Sequence, residues 1–401
     1  MTTDKHNKRP NVPPLRFPEF TEPWETAKLG AIAEFSKGTG ISKEQRSETG
    51  LPCILYGELY TTYTNEVIEE VVSKTDLDPT DLVKSQKNDV IIPSSGETAE
   101  DIATARCVTS DNVLLGGDLN IIRLVEPNDG RFMSYQLNGI RKYDIAKISQ
   151  GVSVVHLYGG DLKMLSVTFP QSPEQKKIAD CISLLDRRIS VQSGLINKLE
   201  SLIGGITLSI TKSDDCESIR LSEILTERNE VNTAQYEVYS VSVSQGVVNQ
   251  VEYLGRSFAA KDTSNYNVVH YGDIVYTKSP TGDFPYGIVK RSNQAKPVAV
   301  SPLYGVYIPA SNDIGCFLHY YFCNAVSTKN YLHKLIQKGA KNTINITNQR
   351  FLENSIKLPN AESLAIVVKL LNQLSVKKQR AEELLALYRK QKQHLLSQMF
   401  I

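Results

Sequence analysis

The sequence predicts an α+β protein, with two mixed α/β domains joined by two long helices that form an antiparallel coiled coil. Three observations predict it. Apolar residues recur at spacings of 4 and 3 through Ile178, Ile182, Leu185, Ile189, Ile196, Leu199, Ile203, Ile206 and Ile210, with Gln192 the polar member of the series. That is the seam of a coiled-coil helix, and such a stripe must pack on another helix. The chain supplies the partner. Shifted by 189 residues, the pattern returns at Val367, Leu371, Leu374, Leu385, Tyr388, Leu395 and Met399, with Lys378 and Lys392 standing where Ile189 and Ile203 stood. Finally, the stretches between the helices read as short strands broken by Gly- and Ser-bearing loops, which suits mixed modules better than a doubly wound sheet.

Residues 1–14 are polar, with Pro and basic residues and no apolar run, so they predict a flexible arm rather than a secretory signal. Residues 15–172 form the first domain. Leu29, Ile32 and Phe35 have helical spacing, and a Ser36–Gly40 loop follows. Strands are expected at Cys53–Tyr56, Val67–Val72, Asp89–Ile92 and Asn120–Val125, then a helix over Phe132–Ile148 and a polar segment, Ser149–His156. Residues 173–212 are the central helix. Ser172 can cap it, Pro173 suits its first position, and Gln175 can reach back as in a capping box.

Residues 213–359 repeat the plan. Leu221, Ile224 and Leu225 match the first helical turn, with strands at Tyr236–Val243, Asp273–Tyr276, Gly287–Lys290 and Tyr304–Ile308. A helix over Ile314–Leu335 and the polar segment Gln337–Asn345 complete the module. Residues 360–401 are the second helix, with Asn360 as its cap and Glu362 well placed in its first turn. The polar seam positions Gln192 and Lys378 are expected to fix the antiparallel register.

Composition removes several function classes. The 401 residues carry a net charge of +1, but residues 15–172 hold 15 Lys+Arg against 23 Asp+Glu, while the two helical segments carry the positive excess. No uniformly basic field exists, so bulk charge announces no polyanion partner. No apolar run approaches the roughly 18 residues that a membrane span needs. Six scattered cysteines without a CxxC pair read as reduced thiols of a cytoplasmic protein rather than disulfides or zinc ligands. The chain has no GxxxxGK[ST], no Asn/Asp-Pro-Pro-aromatic run to hold an amino group for methylation, and no Gly-x-Ser-x-Gly elbow. The expectation is a non-catalytic chain.

Three runs carry a resemblance: Leu15-Arg16-Phe17-Pro18-Glu19-Phe20, Pro173-Glu174-Gln175-Lys176-Lys177-Ile178-Ala179, and Gly272-Asp273-Ile274-Val275-Tyr276. In this order, with the internal repeat, the chain resembles the specificity subunit of type I restriction–modification systems over nearly its whole length. It departs in that the second helix begins Glu362-Ser363-Leu364, without the Glu-Gln pair of the first.

The resemblance implies two target-recognition domains, each reading one half of an asymmetric bipartite target in double-stranded DNA. The coiled coil would set the spacing and dock two methyltransferase subunits, with restriction/translocase subunits joining that core. S-adenosylmethionine, ATP and Mg would then belong to the partner subunits, with no cofactor or metal on this chain and no membrane. About 37 helical residues at ~1.5 Å each span roughly 55 Å, enough to separate half-sites by one turn of duplex.

Candidate DNA-binding residues lie in the glycine-bearing loops and the polar segments before the long helices. In the first domain they are Lys37, Thr39, Tyr56, Ser94, Ser95, Thr98, Arg106, Ser153 and His156. In the second they are Lys278, Ser279, Thr281, Tyr286, Lys341, Asn342, Thr343 and Asn345. Their amides, hydroxyls and cations suit base edges and phosphates. The competing reading is that Ser, Thr and Gly there make turns. Tyr56, Tyr60 and Tyr63 equally suit a strand face, and Arg187-Arg188 either a solvated helix face or a docking patch. Two other classes stay open: a protein-binding adaptor carrying two modules on a helical spacer, and a stand-alone nuclease.

Overall fold

The computed structural model describes residues 11–151, 154–213, 215–338 and 344–401. It divides into two compact units, 1–192 with 384–401, and 193–383. Both long helices, Ser172–Thr211 and Ala361–Gln398, are shared between the units rather than forming a separate body.

In the first unit Glu25–Lys28 pairs antiparallel with Ser166–Phe169. Leu29–Ile32 forms one helical turn, and Phe35 lies in the strand Ala33–Lys37 instead of extending it. That strand edges a five-stranded sheet whose order continues Leu119–Leu124, Asp89–Pro93, Arg106–Val108, Val67–Ile68. The expected helix over Phe132–Ile148 is two helices, Gly130–Asn138 and Lys142–Ile148. Gly139 leaves helical geometry (φ −87°, ψ −110°) while its N–H still caps the Tyr135 carbonyl. Asp129 starts the first of the pair by accepting the N–H groups of Arg131 and Phe132. The core joins Trp24, Val90, Ile122 and Phe132 to Ile178 and Ile182 of the first long helix and Met399 and Phe400 at the end of the second. Within this unit the two helices therefore run antiparallel.

Residues 1–10 of the expected arm lie outside the described residues. Asn11 exchanges bonds with Trp24, and the Leu15 N–H donates to the Gln398 carbonyl at 2.9 Å, so residues 11–15 are tied down.

The second unit repeats the plan. Glu217–Arg220 pairs antiparallel with Ser355–Leu358, a strand that lies 189 residues after Ser166–Phe169. Leu221–Ile224 is again one turn, and the sheet order is Leu225–Glu227, Gly305–Pro309, Ile274–Thr277, Ile288–Arg291. The expected helix over Ile314–Leu335 also breaks, into Asn312–Cys323 and Ala325–His333. Asn324 is the reason: its extended backbone ends one helix, and its side chain accepts the Ser327 N–H to cap the next. Leu364 and Val368 of the second long helix join this unit's core, with Ile210 of the first against it. Here too the pairing is antiparallel.

The helix starts differ for a physical reason. Glu174 is buried at 2% exposure, takes a bidentate pair from Arg16 at 2.7 Å, and accepts the Trp24 indole N–H. Lys177 pairs with Glu19 and lies over Phe17 at 4.7 Å. Two of the runs quoted above thus touch each other. The Leu15–Phe20 run occurs once in the chain, so a glutamate at the second helix start would have no such arginine. Gln175 does not close a capping box. Its amide donates to Pro170 and Asn128 and accepts the Asp129 N–H, pinning the turn before the next helix. Asn360 does cap, accepting the Ser363 N–H at 2.9 Å.

Along the seam Ile178, Ile182, Leu185, Ile196, Leu199, Leu371 and Leu385 are buried; Ile189, Gln192, Leu374, Lys378 and Tyr388 are half-buried. Ala381, not expected there, is buried as well. The seam lysines are not flaws. Lys392 bonds Asp186 at 2.6 Å and Glu66 at 2.5 Å; Lys378 bonds Glu200 at 2.6 Å and Glu382 at 3.4 Å. Fourteen residues along one helix match fourteen back along the other, the same antiparallel register in either unit. Burial works against the Lys378 charge, but Glu200 and Glu382 outweigh it and raise its pKa. Because Lys378 and Glu200 both reach solvent, Lys378→Leu should change stability by less than about 1 kcal/mol in thermal unfolding.

Candidate functional site

In the first unit a two-strand ladder brings distant candidates together. Ser95–Gly96 pairs with Val155–His156, and the Leu157 N–H donates to the Ser94 carbonyl at 3.0 Å. The Asn120 amide holds the Leu157 carbonyl at 2.9 Å, and Asn120 lies opposite Lys37 in the sheet. Tyr60, not among the candidates, donates its hydroxyl to the Ser95 carbonyl at 3.1 Å, with Tyr56 near enough to act on it electrostatically. His156 is exposed and stacks on Tyr158 (6.2 Å, 26°), itself 48% exposed. Lys37, Tyr56, Ser95, His156 and Tyr158 therefore share a neighbourhood of donors, rings and a cation. Tyr158 was legible only as an aromatic two residues after His156.

Four other candidates in this unit have structural work to do. Arg106 is buried, with its guanidinium on the carbonyls of Leu59, Tyr63 and Ala105, so it braces the fold and cannot reach a nucleic acid. Thr39 accepts the Val83 N–H, and Thr98 caps Ala99–Ile102 through the Asp101 N–H. Ser94 is buried against Asp118. For these the turn-and-core reading wins, because their polar atoms are already satisfied locally. Ser153 lies outside the described residues. Arg187 pairs with Glu69 at 2.7 Å on the solvated helix face.

In the second unit Lys278, Ser279 and Thr281 form a hairpin between strands Ile274–Thr277 and Ile288–Arg291, closed by a bridge from Thr281 to Phe284. Ser279, Thr281, Gly282 and Asp283 are exposed at its tip. Gly287 has φ +110°, and a Cβ there would lie 2.1 Å from the Thr277 carbonyl oxygen, so the return strand needs glycine. Lys278 is half-buried, and burial lowers its pKa against the pull of Glu227. Tyr286 gives its carbonyl to the Tyr276 hydroxyl and sets its ring 5.8 Å from His333, at the end of the helix leading to Gln337–Lys338. Asn345 lies in the strand paired with Gln337–Lys338; Lys341, Asn342 and Thr343 lie outside the described residues.

A second exposed feature of this unit was missed. After the short helix Gln250–Leu254, Gly255 (φ 73°) turns the chain so that the Arg256 guanidinium lies 4.5 Å over Phe258, with Tyr253, Leu254 and Phe258 exposed. The alternation of aromatic, glycine and arginine was its only signal. Among the described residues no cluster of His, Cys, Asp or Glu could hold a metal, and no helix is long and apolar enough to cross a membrane.

No curated protein matches the chain in sequence. Solved structures share its fold. The S subunit of a type I restriction–modification system from M. genitalium is 16% identical with a TM-score of 0.65, covering 97% of this chain and 99% of that one. A chain from a study of complex assembly and conformational transition in the type I R-M system is 14% identical with a TM-score of 0.50, covering 94% and 97%. Residues 21–201 match the model of the type I restriction modification DNA specificity domain, a span that takes in the first unit's sheets and most of the first long helix. Residues 21–201 thus belong to the type I restriction modification DNA specificity domain family, and the second unit repeats the antiparallel strand pair that frames the first.

Proposed function

We propose that this chain is the non-catalytic, sequence-reading component of a type I restriction–modification complex, each unit addressing one half of an asymmetric bipartite DNA target. The observation that carries this reading is the family match over residues 21–201 together with a second unit built on the same plan but bearing different loops. Equivalent frames give equivalent approaches to a duplex; different loops give different half-sites. In the first unit the readers are Lys37, Ser95, His156 and Tyr158, and in the second Lys278, Ser279 and Thr281, together with the exposed Arg256–Phe258 stacking pair.

The paired helices set the unread gap and dock two methyltransferase subunits, with restriction/translocase subunits joining from outside. S-adenosylmethionine, ATP and Mg belong to those partners, and the complex works in the cytoplasm. The acidic first domain supports weak, salt-sensitive DNA binding by the chain alone, since phosphate neutralisation supplies much of such affinity.

Mapping methylated adenines in cells expressing variants tests the division of labour. Lys278→Ala with Thr281→Ala should weaken the assembled complex on its target by about 1–3 kcal/mol and relax only one half-site. His156→Ala with Tyr158→Ala should relax only the other. Loss of both half-sites from either pair would overturn the reading. A complex that leaves no footprint on a bipartite site would favour the protein adaptor instead, and metal-dependent cleavage by the purified chain the nuclease.

A further inference from the structure

We infer that Cys323 is a thiolate nucleophile held for reaction with hydroperoxides, a modification site in the second unit separate from its loops. It ends the helix Asn312–Cys323, one turn after His319 on the same face. The strand Ile288–Arg291 runs alongside. From it Lys290, only 4% exposed, brings Nζ to 3.3 Å from the Cys323 sulfur. No carboxylate lies within ion-pair distance of Lys290 among the described residues.

A buried ammonium without a counter-charge is costly. The sulfur is the group in place to supply that charge. The histidine is arranged to the same end. The Arg291 backbone N–H donates to His319 Nδ1 at 3.4 Å, so in the neutral ring Nε2 carries the proton, and Nε2 lies 3.7 Å from the sulfur. Two donors therefore face Sγ, an arrangement suited to an acceptor.

The other charged group nearby, Arg291, is engaged by Asn293 and Asn312 and stacks on Tyr271. Loss of solvation around the sulfur raises the thiol pKa, but His319 and Lys290 together bring it down to about 6. The chain's other thiols lack this setting. Cys53, Cys107 and Cys316 are buried, and burial pushes Cys53 up to about 11; Cys181 and Cys216 are half-buried, whereas Cys323 is exposed.

The step balances as a two-electron oxidation of sulfur. The thiolate attacks one peroxide oxygen, an S–O bond forms and the O–O bond breaks. Hydroxide, or alcohol after protonation, departs, and a sulfenic acid remains.

Alkylation of the native full-length chain by iodoacetamide, read site by site by mass spectrometry across pH, tests the thiolate directly. A low-pKa thiol gains in ionised fraction more than it loses in intrinsic nucleophilicity, so at pH 6 Cys323 should react about tenfold faster than an ordinary exposed cysteine. Its rate should level off above about pH 7. Lys290→Met with His319→Gln should slow it about tenfold at pH 6 while circular dichroism stays unchanged. Brief hydrogen peroxide followed by dimedone should label Cys323 first. An alkylation profile rising through the ordinary thiol range near 8.5, or dimedone labelling no faster than at Cys181 and Cys216, would overturn the assignment. The wild-type profile decides the matter even if the double variant fails to fold.

Discussion

Lys392→Met is expected to destabilise the first unit by about 3–5 kcal/mol, one of the two largest effects foreseen for any single substitution in the chain. Lys392 pairs with two carboxylates that have little access to water: the Asp186 and Glu66 side chains are 6% and 13% exposed. Tyr135, fully buried, donates to Asp186 at 2.7 Å and lies under the lysine at 5.7 Å to its ring centre. Removing the ammonium leaves like charges facing each other without water to screen them. The partners come from the strand region, the first long helix and the second long helix, so the loss falls on the contact that closes this unit.

The pH dependence has a definite sign. Burial, the largest influence, raises the Asp186 pKa, and Glu66 adds to it against the lowering by Lys392 and Tyr135. A carboxyl raised in the folded state favours folding at low pH, and that contribution is lost as pH rises through the folded-state value. Without Lys392 the rise is larger. The variant should therefore lose more stability at about pH 8 than at about pH 5, where Asp186 can take up a proton. Chemical denaturation at the two pH values checks it, and an equal loss at both would refute the argument. The contrast with Lys378, which occupies the same kind of seam position in better contact with water, isolates burial as the cause.

Phe351→Ala is expected to cost the second unit about 3–5 kcal/mol. Phe351 is fully buried and stacks on Tyr276 at 4.8 Å and Tyr307 at 4.9 Å, with Tyr331 meeting it edge-on at 5.7 Å. Truncation opens a cavity between two sheet strands and takes away ring pairs worth roughly 0.5–1.5 kcal/mol each beyond their area. Tyr276 belongs to the strand that delivers the Lys278–Thr281 hairpin, so the consequence runs past stability. Protease cleavage should appear first in that hairpin, and one half-site should lose definition before the other. Phe351→Leu, which refills part of the space, should lose less of both. Denaturant midpoints and limited proteolysis of the two variants measure the difference.

How much of this was legible beforehand divides by the kind of signal. The seam from Ile178 to Ile210 and its echo from Val367 to Met399 were readable because periodicity is a property of neighbours along the chain. The short strands at Asp89–Pro93 and Ile274–Thr277 were readable for the same reason. Helix ends were less so. Gly139 and Asn324 each broke one expected helix in two, the first by leaving helical geometry and the second by preferring to cap. Of the candidate readers, Lys37, Ser95, His156, Lys278, Ser279 and Thr281 lie on loops or strand ends where solvent can reach them. Arg106 and Ser94 are buried, and Thr39 and Thr98 commit their hydroxyls to nearby backbone N–H groups.

The chain alone determined the repeat, the two long helices and their antiparallel seam. Folding alone decided which charges are compensated. Lys392 meets Glu66 from 326 positions away, and Arg16 meets Glu174 from 158. A spacing pattern records which face of an element avoids water, and that is written locally. The role of a polar side chain depends on which remote group satisfies it, and only the packed molecule brings those groups within reach.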